Sequence, residues 1–90
     1  MLFVALLKKK ASTKETLPRR LEWQAPEGVR TVAEYWLLTP DPNVILAFEG
    51  ESIAPMEEAI SAWDDVFDIT IVPAMTAEDG IKVAKQRMPQ

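Results

Sequence analysis

The sequence predicts an α+β fold, a ferredoxin-like βαββαβ arrangement with a four-stranded antiparallel sheet and a further C-terminal helix. Three observations predict it. Four short segments carry strand-like apolar patterns, and three others carry helix start signals or helical spacing. They follow one another as strand, helix, strand, strand, helix, strand, helix. Right-handed crossovers in both strand–helix–strand units then put the first and third strands at the centre of the sheet, with both crossover helices on one face. At 90 residues the chain has the length of one domain, so residues 1–90 are read as a single unit.

Leu2 to Leu7, LFVALL, is a short continuous apolar run, which favours a strand buried on both faces. Ser12 and Glu15 have capping-box spacing, but Pro18 would break a helix begun at Ser12. A helix over about Leu17 to Trp23 leaves Pro18 in the first turn, where it is tolerated, and directs Leu17, Leu21 and Trp23 inward. Val29 to Leu38 and Val44 to Glu49 are the next strands, joined by Thr39-Pro40-Asp41-Pro42-Asn43. Setting Leu38 opposite Val44 puts Trp36 opposite Leu46 and Glu34 opposite Phe48. The other face then holds Ala33, Tyr35, Leu37, Ile45, Ala47 and Glu49. Ser52 is placed to cap the second helix, whose inner stripe is Met56, Ile60 and Trp63. Phe67 to Val72 alternates as a fourth strand. Thr76 opens a last helix to about Arg87, with a stripe of Ile81, Ala84 and Met88.

Both faces of the predicted sheet are mostly apolar, whereas two helices cover only one. The other face therefore calls for a partner, and a second copy of the chain is the expected one. The apolar content of 48% agrees with a surface that is partly covered by another chain.

Composition excludes several chemistries. There is no cysteine and no histidine, so disulfides, thiolate metal sites and His-dependent triads are ruled out within the chain, and no cofactor or metal is expected. Residues 1–30, 31–75 and 76–90 carry net charges of +4, −9 and +1. An acidic total argues against nucleic acid as a partner. No apolar run approaches the ~20 residues of a membrane span, and Lys8 to Lys10 follow the first apolar run instead of preceding it as in a secretory signal. The expectation is a soluble cytoplasmic protein.

The candidate ligand-binding residues are Glu34, Tyr35, Trp36, Phe48, Arg19 and Arg20. Glu34 sits on a strand beside Trp36, where loss of water would raise a carboxyl pKa towards neutrality and suit it to proton transfer. The alternative is an ion pair with an arginine. Tyr35, Trp36 and Phe48 are read as the walls of a pocket for a flat or apolar molecule, or else as core. Arg19 and Arg20 are read as an anion clamp or Glu34's partner, or else as solvated helix charges.

The order of elements over residues 1–75 resembles the dimeric α+β barrel superfamily, which includes antibiotic-biosynthesis monooxygenases and muconolactone isomerases. Arg19-Arg20-Leu21-Glu22-Trp23, Pro26-Glu27-Gly28-Val29 and Glu34-Tyr35-Trp36-Leu37-Leu38 resemble a family of short prokaryotic proteins known only as a domain of unknown function. The first resemblance implies a homodimeric barrel. Its active members often use His, or Asn with Trp, in the barrel pocket; this chain has no His, and Asn43 is its only Asn. The resulting expectation is a small dimeric α+β barrel that binds a small apolar or anionic molecule near Glu34 and Trp36. The alternative is a non-catalytic self-assembly or interaction module without a pocket.

Overall fold

The computed structural model describes residues 1–10 and 16–88. The Ser12–Glu15 capping box lies outside them. The elements are β1 (Leu2–Lys9), α1 (Thr16–Glu22), β2 (Val29–Trp36), β3 (Val44–Gly50), α2 (Ala54–Ser61), β4 (Phe67–Ala74) and α3 (Ala77–Arg87). The sheet order is β2-β3-β1-β4, and every neighbouring pair is antiparallel. This is the ferredoxin-like α+β arrangement, with β1 and β3 central.

Pairing fixes the two faces of the sheet. Phe3 lies opposite Phe48, Ala5 opposite Leu46 and Leu7 opposite Val44, while Ala5 and Leu7 also face Ile71 and Ile69 of β4. These side chains point to the helices, because directly opposed residues share a face. Phe3, Ala5, Leu7, Leu46 and Phe48 are buried there, together with Met56 and Ile60 of α2, Trp63 and Phe67. Phe3 and Phe48 stack at 5.5 Å between ring centroids. Each fully buried Leu, Ile, Met or Phe side chain among them contributes roughly 1.5–3 kcal/mol by leaving water. The opposite face carries Leu2, Val4, Leu6, Ile45 and Ala47, all half-buried. Central β1 is therefore sealed on one side only, where the apolar run predicts burial on both.

The hairpin register differs by two residues from the predicted one. Trp36 faces Val44, Glu34 faces Leu46 and Thr31 faces Phe48. Asn43 causes the shift. Its carbonyl accepts from Leu37 N at 2.7 Å, its side-chain amide donates to the carbonyls of Leu37 and Thr39, and its own N–H donates to Leu7 O at 2.7 Å. Leu37 and Leu38 thus belong to the loop, and Leu38 is fully exposed. Because the slip is an even number, each side chain stays on its expected face. The irregularity between Thr31 and Ala33 adds Val32 as an extra residue. That bulge brings Val29 and Thr31 before it, and Glu34 and Trp36 after it, to the same side of the sheet.

The crossover helices lie on the covered face. α2 buries Met56 and Ile60 as its spacing predicts. Its N-cap is Ile53, not Ser52, and no side chain caps it. Pro55 in the first turn has no N–H to satisfy, and the N–H groups of Met56 and Glu57 both reach Ile53 O, so a serine cap is not needed. In α3, Thr76 Oγ1 accepts from Asp79 N at 3.1 Å, the expected cap. α3 buries none of its residues.

Candidate functional site

α1 also buries no residue, yet one side of it faces the body. Thr16, Arg19, Arg20 and Trp23 recur at i, i+3, i+4 and i+7, a single helical stripe. The inward stripe is therefore polar and aromatic. Leu21, expected inside, points away and is 76% exposed.

The two arginines reach opposite sides of the domain. Arg19 donates from Nη1 to both carboxylate oxygens of Asp65, at 3.3 and 3.0 Å. Its Nη2 reaches Ala62 O at 2.7 Å, and the guanidinium lies 4.6 Å from the Trp63 ring centroid. Arg20 grips Glu34 with two bonds, Nε to Oε2 at 3.0 Å and Nη2 to Oε1 at 2.7 Å. Its guanidinium sits 5.3 Å from the Trp23 centroid. Trp36 Nε1 donates to Glu34 Oε2 at 2.6 Å.

Between α1 and the sheet lies a cavity of about 340 Å³. Trp23, Trp36 and Trp63, the chain's three tryptophans, all line it. Leu7, Val44 and Leu46 form its floor, Leu17 contributes from α1, and Ile60 and Phe67 close the far side. Its polar lining is Lys9, Thr16, Arg20, Glu34 and Asn43. Thr16 Oγ1 is buried and has no hydrogen-bond partner among the described residues.

Of the residues expected to bind a ligand, Glu34, Trp36 and Arg20 meet at this cavity. Tyr35 lies opposite Ile45 on the other face of the sheet and is largely exposed. Phe48 is fully buried in the core against Phe3. Arg19 is held by Asp65 and Ala62 O and does not line the cavity. Trp23 and Trp63 are residues that sequence reasoning assigns to packing alone; the four-residue stripe on α1 was the signal that places Trp23 beside Arg20.

The Arg20 guanidinium holds the Glu34 carboxyl below its ordinary value; burial pushes the other way, and the Trp36 indole assists the arginine. Glu34 in turn raises Arg20 above its ordinary value. Glu34 is therefore a fixed carboxylate at neutral pH. Of the two readings of Glu34, the geometry is that of the ion pair with an arginine, whose two prongs outweigh partial burial. The Arg19 guanidinium likewise lowers Asp65. No cluster of His, Cys, Asp or Glu able to hold a metal ion occurs among the described residues, nor any helix long and apolar enough to cross a membrane.

A family described as a domain of unknown function, DUF3303, matches residues 1–88. No curated protein and no solved structure matches the chain.

Proposed function

The chain belongs to that family of unknown function, and we propose that it binds a small, flat, mostly apolar molecule with an anionic edge in the cavity beneath α1. The observation that carries this reading is the cavity of about 340 Å³ walled by all three tryptophans. That volume falls within the roughly 300–1,000 Å³ of ligand sites, which are characteristically apolar with a few placed polar groups. Tryptophan faces favour planar partners through offset stacking. Lys9 and Arg20 outnumber Glu34 in the lining, which favours a negative group on the ligand. The ionised Glu34 acts as a positioning group that holds Arg20 and the Trp36 indole at the rim.

The working state in this reading is a homodimer joined through the open sheet face. Leu2, Val4, Leu6, Ile45 and Ala47 make that face apolar, and no element among the described residues covers it.

The test is a tryptophan-emission titration and thermal-shift screen with mono- and bicyclic aromatic carboxylates, using 1-anilinonaphthalene-8-sulfonate as the first probe. Saturable quenching with a raised melting temperature is expected, since ligand bound to the folded form stabilises it by mass action. Leu46→Trp, which fills the cavity, should abolish both signals. Quenching that survives Leu46→Trp, or no signal from any of these molecules, overturns the reading.

A further inference from the structure

α3 and the open face of the sheet are two apolar surfaces left uncovered on the same chain. Ala77, Ile81 and Ala84 form one stripe of α3, with Ile81 55% exposed; Met88, expected on that stripe, is the extended residue just past the helix and is 66% exposed. A helix with a continuous apolar stripe and no buried residue lacks its packing partner. The rest of the molecule shows the same deficit. Its extents are 55 × 30 × 17 Å and its radius of gyration is 15.3 Å, against ~12 Å for a compact chain of this length.

We infer that α3 is an exchange arm, which lies across the open sheet face of a second copy of this chain. The inference rests on the homodimer proposed above and adds how its halves are clasped. Dimensions favour it. Eleven residues of helix span ~16 Å, and the four strands span ~14 Å from first axis to last. The helix is thus long enough to cross every strand. Area favours it as well. Strands of seven or eight residues, four abreast, give a face of roughly 500 Å². A stable interface buries about 800 Å² on each partner. The face alone falls short, and an arm contributed by each chain supplies the remainder. Connection favours it too, since α3 follows edge strand β4 after only Met75 and Thr76, so it leaves from the rim of its own open face, where a second copy packed on that face comes within its reach.

The chain has no native cysteine, so a single engineered one can be labelled cleanly. Gln86→Cys, on the polar side of α3, is spin-labelled and mixed with an equal amount of unlabelled ¹⁵N-enriched protein. Any paramagnetic loss of amide signal in the ¹⁵N chain then comes from its partner's arm. Loss at Val4, Leu6, Ala47 and Val72 is expected. Light scattering on the native chain separates the two readings. A monomer overturns the dimer and the arm together. A dimer with no loss, or with loss elsewhere, overturns the arm and leaves the dimer standing; an arm folded back on its own sheet gives this result.

Ile81→Asp provides a second readout. It should weaken dimerisation at least tenfold while tryptophan emission, which reports the distant cavity, stays unchanged. An unchanged dissociation constant overturns the arm.

Discussion

Glu34 is the residue on which three neighbours converge. Arg20 grips both its oxygens, Trp36 donates to one of them, and Leu46 lies opposite it on β3. Glu34→Gln removes the charge and leaves Arg20 without its counter-ion. With the Arg20 side chain 36% exposed, solvent screening limits the loss to about 1 kcal/mol. The pH dependence has a definite sign. The folded pKa of Glu34 lies below its unfolded value, so its contribution is fully present above the unfolded pKa. It is lost as pH falls through the folded pKa. Urea titrations of the native and Glu34→Gln proteins from pH 7 down to about pH 2 should show a stability gap that closes on the acid side. Asp65, lowered in the same direction by Arg19, is present in both proteins and cancels. A gap that persists undiminished in acid would show that the substitution acts through packing.

Among the elements, α1 and α2 hold to the sheet by different means. α2 buries Met56 and Ile60. α1 is fixed by Arg19 and Arg20 and by the aromatic rings beneath them. Leu21→Ala on α1 should therefore change stability by less than about 0.5 kcal/mol. Met56→Ala, at a position with no exposure, should cost about 2–5 kcal/mol. Guanidinium unfolding of the two variants checks the contrast; equal losses would mean that α1 packs through its leucine. The same contrast explains what the sequence made legible. Apolar spacing found the inner face of α2, because that face is held by hydrophobic burial. It misassigned Leu21, because the inner face of α1 is chosen by ion pairs with Asp65 and Glu34, 46 and 14 residues away, and periodicity carries no record of them. The two-residue register slip was hidden for a related reason. It depends on Asn43 bonding to Leu37, Thr39 and Leu7, which turn composition alone does not specify. The cavity was legible only as Glu34 and Trp36 on one face with Arg20 as a partner. Its tryptophan walls come from segments far apart in the chain.

At the scale of the whole molecule, the division between a covered and an open sheet face governs stability. A four-stranded sheet with helices on one side leaves Leu2, Val4, Leu6, Ile45 and Ala47 half-buried, and Ile81 of α3 and Met88 just past it are exposed. If these surfaces meet across two chains, folding and association are one process, and the melting temperature must depend on protein concentration. For two chains of this length unfolding together, a hundredfold increase in concentration adds about 2.7 kcal/mol per dimer and should raise the midpoint on the order of 5–10 °C. A monomer unfolding reversibly shows no such rise. Scanning calorimetry over that concentration range therefore decides whether the open face is covered in solution. Deleting residues 76–88 then divides the effect between its two sources. If the arm supplies the missing interface, the shortened chain should melt at one temperature regardless of concentration. Its tryptophan emission should match the native chain's, because the cavity under α1 draws no residue from α3.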